Sequence, residues 1–172
     1  MRNNLTFINV YKNTNIKSEV VTQLLYGDQF KKIKKKGSWI KIKNDLDNYK
    51  GFIKKKNFSL NQKNTHKVYN LYANLYSKPN LKSKIINKIS FGSRIKIIEK
   101  KNKFYKFDHL WIHKNDLKKI NYKTKNIFKN VNQFINVKYK WGGKHFSGVD
   151  CSGLIQLFLN FNNKLCPRDA GD

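Results

Sequence analysis

Short runs of β-branched and aromatic residues alternate with lysine along the first two thirds of the chain. Glycines punctuate them, as expected for small antiparallel strands joined by turns. Ile40 and Ile42 take one face of such a strand and Lys41 and Lys43 the other, which makes it half-buried. The pattern then recurs. "SEVVTQLLYGDQFKKIKKKGSWIKI" (18–42) lies without a gap over "SKIINKISFGSRIKIIEKKNKFYKF" (83–107), 65 residues on. Leu24 falls on Ile89, Tyr26 on Phe91, Gly27 on Gly92, Trp39 on Phe104 and Ile42 on Phe107, and later "GFI" (51–53) answers "LWI" (110–112). Polar connectors at 60–68 and 118–126 follow the two copies. Beyond them the period changes. Ile127, Phe128, Val131, Phe134 and Ile135 recur at helical spacing and predict an amphipathic helix over 125–137. A further helix is predicted from Asp150, an acidic residue suited to N-capping, through "CSGLIQLFLNF". Ser152, Gln156 and Asn160 make a narrow polar stripe on it, and apolar residues cover most of the circumference, so it is expected to be largely buried.

Composition narrows the classes. The chain has 172 residues and no run of 18 apolar ones, and its start has neither an apolar core nor a small-residue cleavage site, so no membrane span or export signal is expected. Two cysteines are too few for a disulfide scaffold, which points to a reducing, cytoplasmic compartment. The net charge is +27 and would attract any polyanion. Only Arg2, Arg94 and Arg168 could supply two-pronged phosphate or base contacts, so no specific nucleic-acid partner is expected. Lysine, asparagine and isoleucine are enriched together, and "KKIKKK" and "IKKKNF" read as solvated strand faces.

"YKWGGKHFSGVDCSG" (139–153) gathers four glycines around Cys151. Cys151 opens the predicted helix, where free backbone N–H groups and the positive end of the helix dipole stabilise an anion. Gly142, Gly143 and Gly148 let the backbone approach a ligand and offer amides to an oxyanion. Position alone leaves two readings open: a nucleophile, or a small buried hydrophobe. Cys166, in "LCPRD" beyond the helix, lacks this presentation and reads as structural.

"YKWGGKHFSGVDCSGLIQLFLN" followed by "LCPRDAGD" resembles the opening of the NlpC/P60 cysteine peptidases, and the two β-rich copies resemble bacterial SH3 domains. The resemblance implies two small all-β SH3-like barrels (1–60 and 61–120) followed by the N-terminal part of an α+β papain-like domain (121–172). It implies a peptidase that needs no metal or cofactor, in which Cys151 attacks the γ-D-glutamyl to diamino-acid bond of murein peptides carrying a free N-terminal L-Ala. Asp150 and Ser152 would contact the substrate's N-terminus and backbone, and Tyr139 and Trp141 would shape the cleft. From the first barrel, Asp28 and Tyr49 would wall it off, the alternatives being an ordinary turn aspartate and a half-exposed strand aromatic. The family's base lies downstream of the cysteine, and no histidine follows Cys151; His66 is in a connector, His109 and His113 are in the second copy, and His145 is in the approach loop. The chain is therefore expected to be an N-terminal fragment with uncovered helix faces and no meaningful hydrolysis. A protein of another class, a non-catalytic SH3-like binder of anionic wall polymer, is the alternative function.

Overall fold

Alternation in the first copy produces five strands, β1 (Phe7–Tyr11), β2 (Val20–Leu25), β3 (Phe30–Lys36), β4 (Trp39–Asn44) and β5 (Lys50–Lys54), in a computed structural model that describes residues 1–169. They form one antiparallel sheet in the order β2-β1-β5-β4-β3. The inward residues Val10, Leu24, Phe30, Ile40, Ile42 and Ile53 make its core, and the lysines of β3 and β4 face outward or lie at the rim. That is the half-buried alternation read from the sequence.

The second copy repeats the scheme with β7 (Tyr72–Tyr76), β8 (Ile85–Ser90), β10 (Glu99–Lys101), β11 (Phe104–Phe107) and β12 (Leu110–His113), in the order β8-β7-β12-β11-β10. The correspondence extends to irregularities. The register slips between Val10 and Tyr11 in one copy and between Leu75 and Tyr76 in the other. Edge-on ring pairs follow suit, Tyr11 with Trp39 at 5.4 Å and Tyr76 with Phe104 at 5.6 Å. Gly27 and Gly92 both adopt left-handed backbone, with φ of +82° and +81°.

Two expectations need correction. The connectors are not purely polar linkers: β6 (His66–Val68) and β13 (Leu117–Lys119) come from their edges and pair with each other, and β6 also pairs with β9 (Arg94–Ile95) in a small third sheet, because Val68 and Leu117 are needed in the second core. The helix predicted over 125–137 does not form. Turns and one short 3₁₀ segment, Val131–Phe134, replace it. Asn126 accepts the Phe128 N–H through its side chain, an alternative to helical bonding that the asparagines of this stretch supply. Its apolar residues are still used: Phe134 is buried, and Ile127 and Val131 pack beside it.

The one α-helix among the described residues, α1 (Cys151–Phe161), follows a hairpin of β14 (Lys144–His145) and β15 (Gly148–Val149). Residues after β2 and β8 join the three parts. Tyr26, next to the Gly27 corner, inserts into the second unit's core, while its counterpart Phe91 inserts among Leu157, Phe158 and Phe161 of α1. Phe91 stacks on Phe161 at 4.7 Å. At the first seam Tyr26 also donates its hydroxyl to Asp108, which Arg2 engages at 2.7 Å.

The helix is not buried all round. Gln156 and Asn160 of the polar stripe point inward and are buried, whereas Ile155 is 47% exposed and Leu154 and Leu159 are partly covered. No helix is long and apolar enough to cross a membrane among the described residues.

A methyl group on Gly27 would lie 1.7 Å from the Arg94 carbonyl oxygen, whereas one on Gly37, also left-handed at φ +56°, would meet nothing within 4 Å. Gly37→Ala is expected to cost only the left-handed strain of about 1–2 kcal/mol. Gly27→Ala should cost more than about 3 kcal/mol, because backbone must move at the seam between units. Urea unfolding of the two variants measures the difference.

Candidate active site

Gly142 turns the chain ahead of the cysteine with φ +71°, and a side chain there would strike the Val20 carbonyl at 2.1 Å. The approach loop can thus lie flat against the start of β2. Lys144 N–H donates to Gln23 Oε1 at 2.8 Å and Phe146 N–H donates to Ser90 Oγ at 2.9 Å, so the hairpin is seated on both β units.

Asp150 then organises the helix start. Its Oδ1 accepts from Gly153 N–H at 2.6 Å, the N-cap bond, and from Ser152 Oγ at 3.3 Å. Its Oδ2 accepts from Gly142 N–H at 2.7 Å and from Arg168 Nη2 at 2.6 Å. Burial alone would raise this carboxyl, but Arg168 and the two backbone donors outweigh it and hold it below the usual range. Arg168 is itself buried, donating Nε–H to Thr22 Oγ1 at 3.0 Å and Nη1–H to Ser152 Oγ.

The opposite end of α1 meets cations of the second unit. Arg94 Nη2 donates to Asn160 O at 3.0 Å, and the fully buried Lys67 donates to the carbonyls of Tyr122, at 2.7 Å, and Phe161. Burial, with Arg94 and Lys123 nearby, pushes the Lys67 ammonium down to about 8. Negative charge at the first turn and positive charge at the last both oppose the helix dipole favourably.

Held this way, Cys151 is exposed and opens into a cavity of about 550 Å³. Tyr139, Trp141, Asp150 and Ser152 line it, together with Tyr49 from the first β unit. Five sequence-predicted residues therefore gather around the sulfur. Asp28 does not. It is buried in the turn after β2, where one carboxylate oxygen accepts the Leu25 N–H at 2.8 Å, and the desolvation of that turn pushes its carboxyl up. The turn-aspartate alternative describes its setting.

The cavity also holds residues the sequence reading did not single out. Glu19 accepts Trp141 Nε1–H at 2.9 Å and pairs with Lys12 at 3.2 Å, which fixes the exposed indole beside the opening. Asp169 accepts the Tyr49 hydroxyl at 3.1 Å across 120 positions of sequence. Burial, with the Asp169 carboxylate beside it, pushes the Tyr49 phenol up to about 12. Asp169 and Arg168 were legible as "PRD"; nothing in the sequence marked Glu19.

No histidine lines the cavity among the described residues. His145 is buried between Phe7 and Phe146, its Nε2 without a partner among the described residues, and burial beside Lys140 pushes it down to about 4, so it stays neutral. Nor do the described residues contain a cluster of three side chains suited to a metal.

Residues 6–59 match the bacterial SH3 domain family and residues 136–172 match the NlpC/P60 family. The chain is similar to the gamma-D-glutamyl-L-lysine dipeptidyl-peptidase of Bacillus cereus, 24% identical over 182 residues that cover 90% of this chain and 54% of that protein. It thus spans about half the length of this curated relative. Its fold is similar to the crystal structure of an NlpC/P60 family protein from Bacillus cereus, with a TM-score of 0.83 at 19% identity over 99% of this chain and 74% of that one. The chain is accordingly a mostly β molecule with one described helix, in which one segment matches the bacterial SH3 family and another matches the NlpC/P60 family.

Arg168→Met would leave the Asp150 carboxylate buried without its cation, and a loss of about 3–5 kcal/mol is expected in urea unfolding. Adding Asp150→Asn should recover part of it. Because the folded Asp150 titrates below its unfolded counterpart, the stability it contributes is complete above roughly pH 4 and is lost as pH falls through the folded value. Asp150→Asn should flatten that acid limb.

Proposed function

We propose that this chain carries the nucleophile and the substrate-reading wall of a cysteine peptidase that hydrolyses the γ-D-glutamyl to diamino-acid bond of murein peptides with a free N-terminal L-Ala. The observation that carries the reading is the exposed Cys151 at the N-terminus of α1, opening into a cavity walled by the first β unit. The likeness to a dipeptidyl-peptidase whose name specifies a γ-D-glutamyl bond supports the substrate class. The same reading treats the second β unit as a second SH3-like barrel, on its repeated strand order, and places the protein in the cytoplasm, recycling wall peptides.

In this mechanism the Cys151 sulfur attacks the scissile carbonyl. The acyl group passes to sulfur, the diamino acid leaves with a proton, and water then releases the dipeptide. The free N–H groups of the first turn of α1 face the developing oxyanion. The substrate's ammonium group pairs with Asp169 and the Tyr49 hydroxyl, which line the cavity together. Asp150 contributes indirectly: its four hydrogen bonds are internal, so it shapes the helix start while Ser152 borders the substrate. Tyr139 and Trp141, 67% and 63% exposed, flank the peptide. The base is none of the four histidines of this chain.

A second reading, a non-catalytic binder of anionic wall polymer, is favoured by one observation: no histidine lines the cavity among the described residues.

Full-length protein is expected to cleave L-Ala-γ-D-Glu-diaminopimelate after the glutamate, as followed by chromatography of the products. Cys151→Ala should reduce turnover on the order of 10⁴-fold or more, and N-acetylation of the peptide should abolish cleavage. Turnover that survives in Cys151→Ala would exclude the mechanism. Absent turnover, with salt-sensitive retention on anionic polymer that Cys151→Ala leaves unchanged, would establish the binder instead.

A further inference from the structure

Tyr49 and Asp169 meet across the cavity, yet they come from two loops with no sequence continuity. Both loops are moored to one side chain. Gln156 is fully buried on the inner face of α1, and its Nε2 donates to Asp47 Oδ2 at 3.0 Å and to the Cys166 carbonyl at 2.9 Å. Both partners only accept, so the orientation of the amide is dictated by chemistry.

Each mooring leads directly to one half of the pair. Asp47 spends its other oxygen on the Asn44 side-chain amide at 2.8 Å and on the Tyr49 N–H at 3.0 Å, which fixes the loop between β4 and β5 two residues before the phenol. Cys166 lies three residues before Asp169, on the segment that also carries Arg168. Gln156 itself does not line the cavity. It sits five residues beyond Cys151, about 7.5 Å along the helix axis. One amide on the helix that carries the sulfur therefore ties together the two segments that bring Tyr49 and Asp169 to the cavity.

We infer that Gln156 is a positioning residue whose side-chain amide holds Tyr49 and Asp169 in register and so sets the reach from the Cys151 sulfur to the subsite for the substrate's ammonium group. This rests on the peptidase reading above for the identity of the ligand, and on geometry alone for the mooring. A fully buried glutamine gains nothing from its place unless its donors are used, and here both are directed to these two loops. Its Oε1 has no partner among the described residues, a cost that the two donated bonds have to offset.

The test uses the full-length protein with Gln156→Met, which keeps the volume and removes both donors, and Gln156→Asn, which keeps the amide but shortens its reach. Tyrosine labelled with ¹³C at Cζ, with the Tyr49 signal assigned through Tyr49→Phe, reads the wall without any substrate. In the wild type Tyr49 should remain protonated through pH 11; in both variants its titration should fall toward about 10, the ordinary phenol value. For L-Ala-γ-D-Glu-diaminopimelate, KM should rise by about 10- to 100-fold, each tenfold corresponding to about 1.4 kcal/mol. The turnover number should stay within about threefold, and the preference over the N-acetylated peptide should collapse. Alkylation of Cys151 by iodoacetamide should proceed at the wild-type rate. An unchanged Tyr49 titration and KM in folded variants overturns the inference, and so does a parallel fall in alkylation and turnover, which would make Gln156 a support of the nucleophile. If the wild type does not cleave the peptide while the Tyr49 titration shifts as expected, the peptidase reading fails and the mooring stands.

Discussion

Complementary charge at the two ends of one short helix is the constraint on which the site depends. At the first turn a buried carboxylate, Asp150, is neutralised by Arg168 and receives backbone donors from both sides of the cysteine. At the last turn Lys67 donates to the Phe161 carbonyl and Arg94 to the Asn160 carbonyl. The first set bonds to Thr22 in the first β unit and the second comes from the second unit, so the orientation of α1 is referenced to both. An eleven-residue helix is marginal in isolation. Here its direction, and with it the position of the sulfur, is set by partners distant in sequence.

The repeat supplies those partners in a regular way. The same left-handed corner follows the second strand of each unit, and the aromatic just before it leaves its own core for the next body. Tyr26 does this with a polar tail that finds Asp108, whereas Phe91 enters an all-apolar setting around Phe158 and Phe161. One backbone device thus serves two different seams. The chemistry of each seam is carried by a single substitution between the copies.

The repeat, the strand alternation and the helix beginning at Cys151 were legible because each rests on local periodicity or on a cap that a few consecutive residues define. The helix expected over 125–137 had the right apolar spacing, but spacing does not weigh the competing side-chain bonds of Asn126. Orientation was harder still. The narrow polar stripe of α1 did not say which way it faces; Gln156 and Asn160 point inward because Asp47, the Cys166 carbonyl and the adjoining units lie there. No pattern within α1 encodes the presence of those groups. Tyr49 was brought to the site and Asp28 was not, although both come from the first unit; the difference is which turn faces the helix, a property of the assembled bodies.

Both β units touch the segment that bears the cysteine, and they also touch each other. Three bodies in mutual contact close a triangle and brace one another, whereas beads on a string would swing. Under the proposed function, a peptide entering beside Cys151 would meet walls that are braced against one another. On the same proposal, exclusion of longer or capped chains would follow from that bracing.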